Sequence, residues 1–262
     1  MARRTKIIAT IGPASQSNST LRGMMEAGMD VARIGLAHGT LDEQVEKFRM
    51  VRSVASELGK HVGIVVDLPG PKIRCAPFDN GGVELLEEAQ ISLSVEGDVS
   101  TADLINVDYP NLLQDVQLGD SLSFADGNVV VRVEDREGDR LKARVVHGGR
   151  LEGRPGLHVP SDRLRLTSPT DQDLALLDTF VELGTDMVAV SFVRSAHDIR
   201  RLGVEPAPRG PMIIAKIETK AAVLNLEGII EASGAVMVAR GDLGSEADIE
   251  ELPHLQKHII QE

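Results

Sequence analysis

Short runs of apolar and β-branched residues alternate with amphipathic segments along this chain, and that alternation limits the folds open to it. Six such runs occupy residues 6–11, 31–34, 63–67, 187–192, 211–218 and 235–240. The segments between them space apolar residues three and four apart, as Leu41, Val45 and Phe48 are. Strands that alternate with helices are typical of parallel sheets. We therefore predict an α/β fold with six mostly buried parallel strands.

The alternation stops after the third run and is replaced by a pattern of period two. Residues 90–95 and 128–133 show this pattern, and turn signals stand at Asn80-Gly81-Gly82, Asp126-Gly127 and Gly148-Gly149. Period two with closely spaced turns favours antiparallel strands. We expect an inserted all-β lobe over residues 75–160, with residues 1–74 and 161–262 forming the α/β part.

Composition excludes several classes of protein. There are 28 Lys and Arg against 40 Asp and Glu, with no Trp, one Tyr and five Phe. Nucleic-acid recognition needs concentrated positive charge and stacking aromatics, so we expect no nucleic-acid partner. We also expect no membrane partner, since no run of 18 apolar residues occurs. The single Cys75 cannot form an internal disulfide, which favours a cytoplasmic location.

Polar residues gather where the predicted strands end. They are Arg33, Asp67, Lys216 with Glu218, and Asp242. In a parallel α/β barrel the carboxyl ends of the strands converge on one mouth, where catalysis takes place. Lys216 and Glu218 are two residues apart, so a strand directs both side chains to one side.

These charges suggest a divalent metal and an anionic substrate. Glu218 and Asp242 could supply the one or two carboxylates that magnesium prefers. Arg33 offers a fork for phosphate or carboxylate, and Lys216 a point charge. The structural alternative is an ion-pair network such as a Lys216–Glu218 bridge, and it stays open here.

Five segments of the chain resemble, in order, motifs of the pyruvate kinase family. They are residues 10–15 (TIGPAS), 26–39 (EAGMDVARIGLAHG), 67–74 (DLPGPKIR), 214–218 (IAKIE) and 237–244 (MVARGDLG). The resemblance implies a (β/α)₈ barrel of the TIM type with a mobile β cap. It also implies transfer of a phosphoryl group between phosphoenolpyruvate and ADP, which gives pyruvate and ATP in glycolysis.

The resemblance extends to individual positions of the substrate site. Arg33 is similar to the arginine that binds the substrate phosphate, and Lys216 to the lysine that stabilises the transferring group and the enolate. Glu218 and Asp242 resemble the ligands of magnesium or manganese. The backbone at Gly241 and Asp242 resembles the clamp for the substrate carboxylate.

On the nucleotide side the resemblance covers His38, Arg74 and Arg154, the last in place of a lysine. Pro155 and Ala125 also depart from the family's residues in the β lobe. We expect these departures to alter nucleotide contacts or cap closure.

The potassium site of the family is expected to be absent. Gly35, Ala37 and Leu68 stand where most members carry side-chain oxygens, so only Asp67 of that site is present. Lys72 replaces a glutamate, and with Leu68 it resembles the potassium-independent subgroup, in which an ammonium replaces the ion. A solvated loop lysine is the alternative interpretation of Lys72.

The chain ends before the family's last two barrel strands, its catalytic threonine and its C-terminal domain. We expect either a fragment or a split subunit whose barrel a second chain completes, and an oligomeric assembly. Two other functions stay open: a metal-dependent 2-oxo-acid aldolase or lyase on the same barrel, and a non-catalytic binding subunit.

Overall fold

The computed structural model describes residues 4–125, 127–160, 166–247 and 250–262. The predicted turn at Asp126 and the predicted start of the second α/β segment at 161–165 therefore lie outside the described residues.

Fourteen strands and nine α-helices are assigned within the described residues. The strands are β1 (Ile8–Thr10), β2 (Val31–Gly35), β3 (Gly63–Asp67), β4 (Val83–Leu85), β5 (Gln90–Ser94), β6 (Leu104–Asn106), β7 (Ser121–Phe124), β8 (Val129–Glu137), β9 (Arg140–His147), β10 (Gly149–Leu151), β11 (Leu157–His158), β12 (Met187–Val190), β13 (Met212–Ile217) and β14 (Ala235–Val238). The helices are α1 (Asn18–Ala27), α2 (Leu41–Glu57), α3 (Leu112–Asp115), α4 (Asp171–Glu182), α5 (Ala196–Arg200), α6 (Lys220–Leu224), α7 (Leu226–Ala232), α8 (Arg240–Glu246) and α9 (Leu252–Gln261).

The first sheet contains six strands in the order β1-β2-β3-β12-β13-β14. Every neighbouring pair is parallel. Each strand lies beside the strand that precedes it in this sheet, so the order never reverses. A doubly wound sheet reverses its order at a switch point, whereas a barrel is wound in one direction. The prediction of six parallel strands is confirmed, and the winding is that of an α/β barrel-like fold.

The sheet buries apolar residues on both faces, as parallel sheets do. One face and the helices share a large core that includes Ile64, Val66 and Val188. The other face carries a smaller cluster built on Val65, Ala189 and Ile214. Alternate residues of a strand therefore separate a helix-covered face from an inner face.

Side-chain caps explain where the longer helices begin. Thr40 and Glu43 form a capping box at the start of α2, and Thr170 and Asp173 form another at the start of α4. Each box satisfies backbone N–H groups that have no partner inside the helix. In the described part of the chain, every helix is too short or too polar to cross a bilayer.

Several predicted boundaries were wrong. The expected strand at 6–11 is confined to β1, and the expected strand at 235–240 stops at β14 because Arg240 already belongs to α8. The segment between the fifth and sixth apolar runs forms two helices, α6 and α7, which meet at Asn225. The Asn225 side-chain amide donates to the Arg194 and Ala221 carbonyls, which competes with a continuous helix.

The strands between Val83 and His158 form a second structure with its own core. A six-stranded sheet has the order β11-β7-β8-β9-β5-β6, and β10 pairs with β4. All of these pairings are antiparallel except that of β5 with β6. A separate apolar cluster fills this part, including Leu122, Phe124 and Val131. Cys75 is buried in that cluster, where burial and the charge of Asp108 raise its pKa to about 12.

Candidate active site

The carboxyl edge of the parallel sheet carries the charged residues that the sequence singled out. The strand register explains why. On each of these strands a polar side chain follows an apolar residue of the inner cluster by two residues, and on β13 a second one follows by four. Val31 precedes Arg33, Val65 precedes Asp67, Ala189 precedes Ser191, and Ile214 precedes Lys216 and then Glu218. Residues two apart on a strand share a face. The inner face is therefore apolar in its body and charged at its edge.

Asp67 joins two cations, Arg33 on the adjacent strand β2 and Lys216 on β13, two strands away on the other side. Its side chain is buried, and the Arg33 guanidinium places Nε 2.7 Å and Nη2 2.5 Å from Asp67 Oδ2. Lys216 Nζ lies 3.3 Å from the other carboxylate oxygen, Oδ1. Arg33 also donates from Nη1 to the Thr10 hydroxyl at 3.0 Å. One buried carboxylate thus fixes the relative positions of Arg33 and Lys216.

Lys216 has two further partners. Its ammonium lies 2.7 Å from Glu218 Oε1 and donates to Ser191 Oγ at 2.7 Å. The sequence-based prediction that Lys216 and Glu218 share one side of the strand is confirmed. The ion pair considered as the structural alternative also exists, but it belongs to a larger cluster that includes Asp67 and Arg33.

Negative charge exceeds positive charge at this edge. Burial raises the pKa of Glu218, and the Asp242 carboxylate raises it further, while Lys216 acts in the opposite direction. Burial alone would lower the pKa of Lys216, but the Glu218 and Asp67 carboxylates outweigh it and raise that pKa. Three carboxylates face two cations, so an additional cation would be stabilised here.

The donor set fits a magnesium-type ion shared with a ligand. Asp242 lies in the first turn of α8, close enough for its charge to act on both Lys216 and Glu218. Glu218 is buried, and the Lys216 ammonium lies 2.7 Å from its Oε1. Those residues hold no group of three or more His, Cys, Asp or Glu side chains placed for a metal. Two carboxylates, with water and substrate oxygens, are what magnesium commonly uses.

His38 lies in a basic neighbourhood on the loop before α2. Burial lowers its pKa below the ordinary value of 6.5, and the positive charges of Arg74, Lys72 and Lys47 lower it further. A cleft of about 530 Å³ adjoins it, lined by His38, Lys47, the carboxylates of Glu43 and Glu46, and residues of the loop after β1. The cations that act on His38 from outside this lining are Arg74 and Lys72, and together with Lys47 they suit a ligand that carries negative charge. Sequence reasoning missed Lys47, which is separated from His38 by the start of α2.

Arg74 and Arg154 meet where the two sheets join. Arg74 donates from Nη1 to the Arg154 carbonyl at 3.3 Å and from Nη2 to the Ala37 carbonyl at 3.5 Å. Arg154 pairs with Asp108, with Nη2 and Oδ2 3.3 Å apart. The Arg74 guanidinium is therefore held at the junction and its charge acts on His38, whereas the Arg154 guanidinium is held by Asp108 and the Cys75 carbonyl.

The Asp67 carboxylate is surrounded by protein cations and a hydroxyl group. The described contacts of the Asp67 carboxylate are with Arg33, Lys216 and Ser191, and Leu68 beside it is a buried apolar residue. Lys72 is exposed, and its Cε would stand 2.9 Å from a Cβ added at Gly156. Lys72 thus borders the junction with the second sheet rather than the carboxylate of Asp67.

Two polar features of this edge were not found from the sequence. Ser191 ends the fourth apolar run as Asp67 ends the third, so the same strand-end signal was available for it. His158 Nε2 lies 3.1 Å from Glu246 Oε1, which joins β11 of the second sheet to α8. These residues are separated by 88 positions in the chain, and nothing in either local pattern indicates that they meet.

A parallel sheet wound in one direction, with buried opposite charges at its carboxyl edge, defines a barrel-like α/β protein. Residues 2–262 match the family model described as pyruvate kinase, barrel domain. The chain belongs to the pyruvate kinase family.

Individual relatives agree with this assignment. The chain is 39% identical to the pyruvate kinase of Bacillus licheniformis over 99% of its own length and 45% of the relative. It is 38% identical to that of Mycobacterium tuberculosis, over 100% of this chain and 56% of the relative, and 38% identical to that of Thermococcus litoralis, over 99% and 55%. The chain thus spans about half the length of these curated relatives.

Proposed function

We propose that this chain contributes to pyruvate kinase-type phosphoryl transfer, in which phosphoenolpyruvate and ADP give pyruvate and ATP. The observation that carries the proposal is the shared carboxylate of Asp67, which holds Arg33 and Lys216 side by side. Phosphoryl transfer depends on positioning and on stabilisation of charge, and two fixed cations at one sheet edge provide both.

Arg33 and Lys216 have different roles in this proposal. The Arg33 side chain is 34% exposed, so its guanidinium can bind the phosphate of phosphoenolpyruvate while Asp67 holds it. The Lys216 side chain is only 10% exposed. Its charge acts in a site that contains little water, where it stabilises the phosphoryl group in transfer and the enolate oxygen. The backbone at Gly241 and Asp242 would bind the substrate carboxylate.

Glu218 and Asp242 would hold a magnesium or manganese ion. When bound, that ion would supply positive charge to the oxygens of the substrate. Glu218 is 1% exposed and its Oε2 accepts the Phe192 N–H at 2.7 Å, so the protein fixes the direction of the carboxylate. Lys216 on the other oxygen neutralises part of its charge.

The nucleotide is assigned to the basic region at the junction of the two sheets. His38, Arg74 and Arg154 would contact ADP or ATP, with Lys47 as an additional cation. The lowered pKa of His38 keeps its imidazole neutral near pH 7, so it can accept or donate one hydrogen bond. Potassium is not required in this proposal, because the Arg33 and Lys216 side chains already pair with the Asp67 carboxylate, while the charge of Lys72 acts on the side of His38.

We extend the proposal to the architecture. The α/β part would be a portion of a (β/α)₈ TIM-type barrel, and residues 75–160 would be a cap that moves over the site. Two further strands, from a longer chain or a second chain, would complete the barrel. The protein would act in the cytoplasm as part of an oligomer.

A coupled assay tests the reaction. The chain, together with the segment or second chain that completes its barrel, is mixed with phosphoenolpyruvate, ADP and magnesium, and pyruvate is measured through lactate dehydrogenase, with and without potassium. Pyruvate formation that requires ADP and magnesium and does not change with potassium is the expected result. Pyruvate released from hydroxy-oxo acids without nucleotide would instead identify a lyase, and no turnover of either kind would identify a binding subunit.

The variant Lys216→Met tests the role of the ammonium. We expect turnover to be abolished while phosphoenolpyruvate still binds through Arg33 and the metal, as measured by calorimetry in the presence of magnesium. Undiminished turnover in this variant would remove Lys216 from the mechanism.

A further inference from the structure

The turn after β12 contacts both charged residues of β13 that the proposed reaction uses. The Ser191 hydroxyl accepts from Lys216 Nζ at 2.7 Å, and the next N–H, that of Phe192, donates to Glu218 Oε2 at 2.7 Å. Consecutive residues thus bind an ammonium and a carboxylate that are themselves 2.7 Å apart. The turn is placed to fix the spacing of this pair.

The orientation of the Ser191 hydroxyl is determined by its other contacts. Oγ donates its single hydrogen to the Leu68 carbonyl at 2.7 Å, and Asp67 Oδ1 lies 3.4 Å away. A hydroxyl has one hydrogen and two lone pairs, so a lone pair is left to accept from Lys216. Ser191 is 2% exposed, so water does not compete for this position.

The backbone of the turn is held just as closely. The Ser191 carbonyl accepts the Ser168 hydroxyl at 2.6 Å. Phe192 adopts φ of 54°, in the left-handed region that side chains rarely occupy. Gly70 lies against the turn, because a Cβ there would stand 2.9 Å from the Cβ of Ser191 and 2.8 Å from the Phe192 ring. A turn packed in this way cannot shift to follow a moving lysine.

We infer that Ser191 is a positioning residue for Lys216 in the phosphoryl-transfer reaction, an inference that rests on the proposed function. Of the three acceptors around the ammonium, Asp67 is also bound by Arg33, and Glu218 is also assigned to the metal. Ser191 is the one neutral acceptor of the three, and its Oγ is held by the Leu68 carbonyl. It keeps Lys216 in place when the metal takes up the charge of Glu218.

The kinetic test uses Ser191→Ala with two companions. Ser191→Thr keeps the hydroxyl, and Thr185→Val removes a buried hydroxyl that donates to the Ile64 carbonyl at 3.2 Å near the opposite end of β12. For Ser191→Ala we expect kcat to fall at least about tenfold, the size expected when a hydrogen bond to a charged group is lost. The KM for phosphoenolpyruvate and the Mn²⁺ affinity, measured by electron paramagnetic resonance, should stay unchanged. Thr185→Val should lower thermal stability without changing kcat, and Ser191→Thr should restore part of the lost rate.

A crystal structure of Ser191→Ala decides the same question without turnover. We expect the Lys216 ammonium to leave its position by more than about 0.5 Å, the tolerance within which catalytic groups are held. An unmoved ammonium would overturn the inference, and so would an unchanged kcat in Ser191→Ala when the wild-type chain is active. If the wild-type chain with its barrel completed lacks kinase activity, the proposed function fails and the displacement still tests the positioning of Lys216.

Discussion

At the scale of single residues, Glu218 is the side chain whose surroundings most favour a bound cation. It is buried, it is close to the negative charge of Asp242, and burial raises its pKa although the Lys216 ammonium lies 2.7 Å from its Oε1. Glu218→Gln preserves shape and removes the charge. We expect Mn²⁺ affinity to fall by at least about tenfold, since loss of even an outer partner costs metal sites that much.

Titration of the chain with Mn²⁺, followed by electron paramagnetic resonance, measures this change. The matched control is Glu246→Gln, which alters another buried glutamate one helical turn beyond Asp242. Its Mn²⁺ affinity should equal that of the wild type. Equal losses in the two variants would show that the effect reflects net charge and would count against Glu218 as a ligand.

His38 gives a prediction about pH. Its pKa is lowered by burial first and then by Arg74, Lys72 and Lys47, so the folded protein binds its proton less readily than the unfolded chain does. The stability that the neutral imidazole contributes is therefore present above pH 6.5 and is lost as the pH falls through the lower folded pKa. The pKa can be measured from the imidazole NMR shifts, and we expect a value below 6.5.

Arg74→Gln separates the causes of this shift. Removing that charge should raise the pKa of His38 part of the way, because burial is the larger cause and remains. Lys142→Gln, which removes a positive charge from β9 in the second sheet, should leave it unchanged. If the two variants act alike, the shift does not come from the charges beside His38.

At the scale of elements, the loop after β3 and the turn after β12 depend on a glycine. Gly70 has φ of 67°, and a Cβ there would meet the turn at 2.8 to 2.9 Å. Gly59, at the end of α2, has φ of 61° and nothing within 4 Å of an added Cβ. Both Gly→Ala variants should lose about 1–2 kcal/mol of stability, because a Cβ atom disfavours the left-handed backbone conformation. Only Gly70→Ala also displaces the turn that holds Lys216 and Glu218.

We therefore expect Gly70→Ala to lower the free energy of unfolding more than Gly59→Ala does, as measured by urea denaturation. In the coupled assay Gly70→Ala should also lower kcat, and Gly59→Ala should not. Equal losses of stability with equal kcat would show that the packing of Gly70 on the turn is unimportant.

The strands and the positions of the charged residues on them could be predicted from the sequence, because both depend on residues that are close together in the chain. Apolar β-branched runs mark buried strands, and a spacing of two residues places Lys216 and Glu218 on one side. The contacts between strands could not be predicted in the same way. Arg33 meets Asp67 across 34 positions, and Phe192 meets Glu218 across 26, because strand register brings them together. The positive φ of Phe192 has no sequence signal, since non-glycine residues rarely adopt it.

At the scale of the whole molecule, two separate apolar cores are joined by a few polar contacts. The helices and the parallel sheet share one core, and the strands between Val83 and His158 surround another. Across the junction lie the Arg74 contact with Ala37 and the His158 contact with Glu246. A junction of polar contacts between independent cores is what relative motion of two lobes requires. It is also where the proposed nucleotide residues lie.

The chain enters and leaves the second core through two short segments that pair with each other. Arg74 forms an antiparallel bridge with Gly156, and the Leu157 N–H donates to the Ile73 carbonyl at 2.9 Å. The two ends of this part of the chain thus lie together, as they do in many domains that fold alone. We predict that a peptide of residues 72–160 folds cooperatively without the parallel sheet.

Two measurements on that peptide test the prediction. Slow amide exchange should appear in β8 and β9, which form the longest pairing of the sheet. The Cys75 thiol should resist a thiol reagent until denaturant is added, because burial raises its pKa to about 12. The same peptide with Val131→Asp, which places a charge at a fully buried position, should be unfolded and reactive. If the unaltered peptide exchanges and reacts like this variant, the second core depends on the parallel sheet, and a cap that moves as a separate unit loses its support.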